Sequence, residues 1–143
     1  MGTELSMLHQ IRAKSGPSQT IGLSDQVIEY FLSINSSLSV AIKEASVTHL
    51  ELIQEYGSEI MLSDEDELIA ILQSDFVNFY AAECVNPYVA IAARGPWVVT
   101  SHGAVLHDNG GYGMLGMGHA PLDITKSMSE NWVMANVMTP SFS

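Results

Sequence analysis

The sequence predicts an α+β protein in which a helical amino-terminal module precedes a small antiparallel β-hairpin or sheet and a glycine-rich loop. Apolar residues recur every three or four positions from residue 24 to about residue 79, which is the period of an α-helix. Short β-prone runs follow residue 87, and glycines crowd residues 109–121. The expected units are an irregular lead-in (1–23), a helical module (24–85) and a third segment (86–143).

The lead-in and the first helix are expected to meet at residue 24. Residues 1–23 contain Ser15-Gly16-Pro17-Ser18, a run of turn-forming residues that interrupts any periodic pattern and predicts irregular structure. The first helix should begin at Ser24, because Ser24 and Asp25 can cap the free amides of its first turn. Its apolar face is made of Val27, Ile28, Phe31 and Leu32.

A second helix is expected over residues 37–56, where apolar residues lie three or four apart. Gly57 supplies its carboxy-terminal stop. His49 falls on the apolar face of this helix, and we expect a packed, hydrogen-bonded side chain there rather than a catalytic base.

A third helix is expected to begin at Ser63, whose hydroxyl can accept a bond from a first-turn amide. The acidic residues 64–67 would complement the positive end of the helix dipole. A calcium loop is the alternative, but it needs alternating ligands and a central glycine that this run lacks. The acidic run therefore indicates a helix start.

The third segment contains β-prone runs and glycines. Residues 97–100 and 104–107 are β-prone, and Ser101-His102-Gly103 separates them, which predicts a hairpin. The glycine-rich loop follows at residues 109–121, and a last helix is expected from Pro121 to about Glu130. Trp97, like Trp132, is expected to anchor the core or an interface.

Composition narrows the possible partners. The 143 residues include 16 Asp and Glu against 5 Lys and Arg, and the net charge of -11 would repel a phosphate backbone, so nucleic-acid binding is disfavoured. No apolar run is long enough for a bilayer, and the first residues lack the features of a signal peptide. A cytoplasmic protein is expected, and the lone Cys84 agrees with a reducing compartment.

Three other chemical sites were weighed from the residues. Gly111, Gly113 and Gly116 match the letters of a dinucleotide fingerprint, but Gly118 and Pro121 postpone the helix that such a motif must open. A metal site would draw on His102, His107, Asp108 and His119. Its spacing is unconvincing, because His102 and His107 point to opposite faces of a strand. A hydrolytic serine lacks the Gly-x-Ser-x-Gly elbow.

The order of motifs from Arg94 onward resembles the entry of class III aminotransferases. The matching pieces are residues 95–100, the turn at His102-Gly103, residues 104–108 and the glycine loop that ends in Gly118-His119. The family usually continues with His-Pro, whereas this chain has Ala120-Pro121. The resemblance covers about the last 50 residues and is nearest to lysine- or ornithine-type ω-aminotransferases. It implies the small amino-terminal domain of a fold-type I pyridoxal-phosphate enzyme, to which residues before it add a helical module.

The resemblance also implies site residues and partners. Tyr112 would face the substrate, with Gly113 and Met114 beside it, and Asn136 and Met138 would approach the neighbouring subunit's active site. His119 would fix the loop by hydrogen bonding. The partners implied are the remainder of the aminotransferase, a second subunit in a homodimer, and a small amine or amino acid with a 2-oxo acid.

Transamination requires a lysine that holds the cofactor aldehyde, and here Lys14, Lys43 and Lys126 do not occupy the family position of that residue. We therefore expect a truncated form or one piece of a larger enzyme. Pyridoxal phosphate would serve the parent enzyme, and this chain alone would bind none and have no catalytic residue. The alternative is a non-enzymatic protein-interaction module that retains an aminotransferase-like scaffold.

Overall fold

A computed structural model of the chain describes residues 2–74, 87–109 and 116–130. Over these residues the chain is an α+β protein with helices packed on a small sheet. The helices are α1 (Thr3–Ala13), α2 (Asp25–Ile34), α3 (Ser36–Tyr56), α4 (Ser58–Met61), α5 (Glu65–Gln73) and α6 (Leu122–Met128). The strands are β1 (Ala90–Arg94), β2 (Trp97–Thr100) and β3 (Val105–His107).

The three strands form one antiparallel sheet in the order β1-β2-β3. The β2–β3 hairpin predicted from the sequence is confirmed, with Val98 opposite Leu106 and the turn at residues 101–104. Strand β1 was not predicted. It pairs with β2 from Arg94 opposite Trp97 to Ala90 opposite Thr100, and the register shifts between Ala90 and Ala92.

The expectation of an irregular lead-in is wrong for residues 3–13, which form helix α1. Leu5, Leu8 and Ile11 are spaced three apart and are all buried, so one face of this helix belongs to the core. The turn residues that follow end the helix. Ser15 is buried, and Gly16 donates its N–H to the Met61 carbonyl at 3.3 Å. The turn signal was correct, but it marks the end of a helix that precedes it.

The helix ends follow the predicted signals with two differences. Gly57 ends α3 with a φ of 90°, a conformation that glycine adopts without steric cost. Ser24 occupies the N-cap of α2 but makes no side-chain cap hydrogen bond. Asp64 and not Ser63 caps α5, because its carboxylate accepts the Glu67 N–H at 2.8 Å.

Helix α3 lies across β1 and β2 and shares one apolar core with α1 and α2. Trp97 is 1% exposed, and its ring lies 4.9 Å from that of Phe31 on α2, so the expectation of a core role for Trp97 is confirmed. The core residues are Leu5, Leu8, Ile11, Ile28, Leu38, Ala41, Ile42, Ala45, Trp97, Val99 and Val105. They come from both sides of the expected boundary at residue 85, so helices and sheet bury their surface together.

His49 is 1% exposed on the sheet-facing side of α3, and its Nε2 lies 2.9 Å from Ser15 Oγ. The expectation of a packed, hydrogen-bonded histidine is therefore confirmed. Within the described part of the chain, the helices are too short or too polar for any of them to cross a bilayer.

Candidate functional site at the base of the glycine-rich loop

The carboxy-terminal end of the glycine-rich loop is bound to Gly95, the residue that follows strand β1. Gly95 donates its N–H to the His119 carbonyl at 3.1 Å, and His119 donates its N–H to the Gly95 carbonyl at 2.8 Å. Gly118 makes this approach possible, because its φ is 74° and a Cβ there would lie 2.8 Å from the Gly95 Cα. The loop therefore returns to a fixed point on the sheet.

A histidine–carboxylate pair joins Asp108, which precedes the loop, to His119 near the end of the loop. His119 Nε2 lies 2.9 Å from Asp108 Oδ2, and Asp108 donates its backbone N–H to the Pro96 carbonyl at 2.7 Å. His119 thus makes the hydrogen bond that was expected to fix the loop. A carboxylate that accepts from an imidazole N–H fixes the orientation and tautomer of the ring, so the pair positions His119.

Arg94 connects the base of the glycine-rich loop, which consists of Gly95, Asp108 and His119, to helix α3. Its guanidinium donates two hydrogen bonds to the Glu44 carboxylate, at 2.8 and 2.6 Å, and a third to the Ala120 carbonyl at 2.9 Å. The hydrogen bonds from Arg94 lower the pKa of Glu44, and Glu44 in turn raises the pKa of Arg94. This fork-to-fork pairing is rigid and specific to arginine. Sequence reasoning missed it, although Arg94 is the sole Lys or Arg between Lys43 and Lys126.

Two open clefts adjoin the base and share Gly95 and Met117. One has a volume of about 390 Å³ and is lined by Gly95, Pro96, His107, Asp108, Asn109, Met117 and Gly118. The other has a volume of about 420 Å³, and polar side chains of Glu44, Arg94 and His119 face apolar ones of Val40 and Leu122 across it. Clefts of this size hold small ligands, with polar groups that fix orientation and apolar ones that exclude water.

The residues expected to face the substrate, Tyr112, Gly113 and Met114, lie outside the described part of the chain. So do Asn136 and Met138, which were expected to approach a neighbouring subunit, and Trp132. Within the loop, the structure describes Asn109 and residues 116–121.

The described residues do not fit pyridoxal phosphate as a lysine-bound cofactor. The residues that line the two clefts include no lysine. Lys43 pairs with Glu4 at 3.1 Å, Lys14 caps α1, and Lys126 lies in α6. Arg94 is already paired with Glu44 and is not free to hold a phosphate group.

The histidines considered for a metal site are not brought together. His102 is hydrogen-bonded to Ser101 and to the Ser63 carbonyl, whereas His119 is bonded to Asp108. In the ranges that the structure describes, no three His, Cys, Asp or Glu side chains are grouped as a metal would need.

Comparison with known proteins adds no relative: no family model, curated protein or solved structure matches this chain.

Proposed function

We propose that the chain is the amino-terminal portion of a class III pyridoxal-phosphate transaminase, which moves an amino group from an amine or amino acid to a 2-oxo acid. In that role it contributes a wall of the substrate pocket and part of the dimer surface, and alone it is inactive. The observation that carries the proposal is the order of the motifs on the fold: a β2–β3 hairpin turns at His102-Gly103, and the glycine loop that follows returns at Gly118-His119 to the end of β1.

The geometry of the loop base supports a positioning role for this portion. Asp108, His119 and Arg94 each make hydrogen bonds that hold the ends of the loop. The wall of a substrate pocket must be held within a fraction of an ångström of its working position. Hydrogen bonds at the ends of the loop favour such a role. The lack of a lysine in the adjoining clefts supports the inactivity of the chain alone, because the amine that holds the cofactor would come from elsewhere in the parent enzyme.

Exposed apolar side chains support a role in assembly with the rest of the enzyme or a second subunit. Leu122 and Met128 on α6 are 72% and 62% exposed, and Met117 beside them is 70% exposed. Met117 and Leu122 line the same cleft, and exposed apolar side chains that lie together are typical of protein interfaces. The net charge of -11 disfavours nucleic acid as a partner, because its phosphate backbone would be repelled.

The test compares the 143-residue chain with the longer polypeptide that the same reading frame would have to encode. The short chain should neither turn over an amino donor nor acquire the visible absorbance of a lysine-bound cofactor. The longer polypeptide should do both. In it, Tyr112→Ala should slow the half-reaction with the amine and leave the cofactor absorbance intact, whereas the matched variant Tyr30→Ala, on the surface of α2, should leave the rate unchanged.

Turnover by the short chain would contradict its inactivity. A longer polypeptide that binds no pyridoxal phosphate would contradict the family assignment. An equal rate for Tyr112→Ala and the unaltered enzyme would remove Tyr112 from the substrate site.

A second candidate, a non-enzymatic interaction module, is favoured by the helical surface. Tyr30 and Ile34 on α2 are 62% and 63% exposed, and Val47 on α3 is 57% exposed. This candidate predicts that the short chain forms a stable complex with a partner protein and that Tyr30→Ala and Ile34→Ala weaken the complex. Size-exclusion chromatography with light scattering, at several concentrations and with the purified partner, measures how much of the complex forms with the unaltered chain and with each variant.

A further inference from the structure

A buried polar cluster at the opposite end of the sheet has no part in the proposed substrate wall. It joins the end of α1, the side chain of His49 on α3, the turn that follows β2, and the backbone at Ser63. We call this cluster the His49 junction, and its members are Ile11, Ser15, His49, Ser63, Ser101 and His102.

The hydrogen bonds define which nitrogen of His49 carries the proton. Ser15 Oγ lies 2.9 Å from the Ile11 carbonyl oxygen and 2.8 Å from that of Ser101, and both of these can only accept. The hydroxyl has one proton: if it pointed at Nε2, neither carbonyl would have a donor, whereas if it serves a carbonyl, His49 Nε2–H can donate to Ser15 Oγ at 2.9 Å and one more hydrogen bond forms. His49 is therefore the neutral Nε2–H tautomer, and Nδ1 is the atom that would take a further proton.

His102 follows the same logic. Its Nε2 lies 3.1 Å from the Ser63 carbonyl, which can only accept, so Nε2 donates there. Its Nδ1 then accepts from the Ser101 hydroxyl at 3.1 Å. Each imidazole of the junction thus carries its N–H at Nε2.

The segments of the junction approach one another closely. A Cβ at Gly16 would collide with the carbonyl oxygens of Leu62 and Ser63. A Cβ at Gly103, where φ is 74°, would lie 2.6 Å from Arg12 Cγ. An open cleft of about 440 Å³ borders Gly16, His102 and Gly103, but His49 does not line it and is 1% exposed, so a charge on His49 would have little contact with water.

We propose that the His49 junction is a proton-operated latch, in which uptake of a proton by His49 releases the end of helix α1 from the sheet. A proton on Nδ1 would place a cation in a site from which water is excluded. The charged and titratable groups that act on it are Lys14 at the end of α1 and His102 in the turn after β2, and both disfavour a positive charge on His49. The buried carboxylate of Glu65 accepts from the N–H groups of Gln19 and Thr20.

The direction of the pH dependence follows from this geometry. Burial lowers the pKa of His49 below its ordinary value of 6.5, and the neighbouring Lys14 and His102 lower it further. Above pH 6.5 His49 is neutral in both the closed and the released state, so the latch stays closed. Below pH 6.5 the released state binds the proton first, and each further pH unit favours release by up to about tenfold until the lowered pKa is passed.

Amide hydrogen exchange of the unaltered chain, followed from about pH 7.5 to pH 5.5, tests the latch. The reporters are the N–H groups of Gly16 and Gly103, which bond to the Met61 and Thr100 carbonyls within or beside the junction. Their protection factors should fall by up to about tenfold per pH unit below pH 6.5. Those of Gly95 and His119, at the other end of the sheet, should stay constant.

His49→Gln is the matched variant, because its amide N–H can replace the bond to Ser15 but does not titrate in this range. It should abolish the fall in protection at Gly16 and Gly103, whereas His107→Gln, on the exposed end of β3, should retain it. A fall that is equal at all four reporters would mean unfolding of the whole chain and would overturn the proposal, as would no fall at Gly16. If His49→Gln does not fold, the pattern across the four reporters of the unaltered chain still decides.

Discussion

Replacing Gly118 with alanine should loosen the base of the glycine-rich loop more than any other single methyl group added nearby. Gly118 has a φ of 74°, which costs an L-residue about 1–2 kcal/mol. The added Cβ would lie 2.8 Å from Gly95 Cα, 2.9 Å from its carbonyl carbon and 3.0 Å from its carbonyl oxygen. All three are backbone atoms, so the contact is relieved only if the two segments separate.

Separation breaks the two backbone hydrogen bonds between Gly95 and His119. Each contributes about 0.5–1.5 kcal/mol, so together with the dihedral cost the variant should lose about 2–5 kcal/mol. Urea denaturation measures the free energy of unfolding. If the segment after the loop detaches locally before the chain unfolds, faster amide exchange at Gly95 and His119 reports the same loss.

Gly116→Ala is the matched control, two residues away in the same chain segment. Gly116 has no positive φ, and among the residues that the structure describes a Cβ there would meet no heavy atom within 4 Å. Alanine should be neutral there or stabilising by up to about 1 kcal/mol, because it restricts the unfolded chain. Equal effects of the two substitutions would refute the view that Gly118 is required for close approach to Gly95.

Two further predictions concern the helices and their ion pairs. Leu8→Ala should lower the free energy of unfolding, measured in urea, by about 2–5 kcal/mol, because Leu8 is 0% exposed. The control Leu122→Ala, at a 72% exposed site, should change it by less than about 0.5 kcal/mol. Similar losses in the two variants would contradict the inclusion of α1 in the core. Hydrogen bonds from Arg12 and then His9 lower the pKa of Asp25 below 3.8, so Asp25 stabilises the fold above that pH and this stability is lost as the pH falls through the lowered pKa. The Tm of Asp25→Asn should therefore fall less steeply with acid than the Tm of the unaltered chain or of the control Asp123→Asn. An equally steep fall in all three would show that Asp25 does not contribute to the acid dependence of stability.

The elements with local signals could be predicted from the sequence. The end of α3 at Gly57 and the turn of the β2–β3 hairpin are set by residues whose backbone preferences act within a few positions, and both are where the pattern placed them. The burial of Trp97 and His49 followed from their place among apolar neighbours, which is also a local property. These signals do not depend on which segment is folded against which.

The remainder depends on partners that are distant in the sequence. Strand β1 has the sequence Ala-Ile-Ala-Ala-Arg, which has a low intrinsic preference for a strand, and it is extended because β2 offers a ladder of hydrogen bonds. Glu65 lies in the acidic run expected to start a helix, and nothing in that run indicates that Glu65 is 0% exposed and accepts the N–H groups of Gln19 and Thr20. The pairing of Arg94 with Glu44 spans 50 positions, and no pattern within either segment indicates it.

The base of the glycine-rich loop and the His49 junction lie at opposite ends of strand β2, so substitutions in the two should affect stability independently. The start of β2, at Trp97, adjoins the base of the glycine-rich loop, and its end, at Thr100, adjoins the His49 junction. Four strand residues span about 10 Å at about 3.3 Å per residue, a distance beyond which changes in stability usually add. The double variant His49→Gln/Gly118→Ala should therefore lose the sum of the two single losses to within about 0.5 kcal/mol in urea denaturation. A loss that differs from this sum by more than about 1 kcal/mol would show that the sheet couples the two ends. Release of α1 would then change the stability of the loop base.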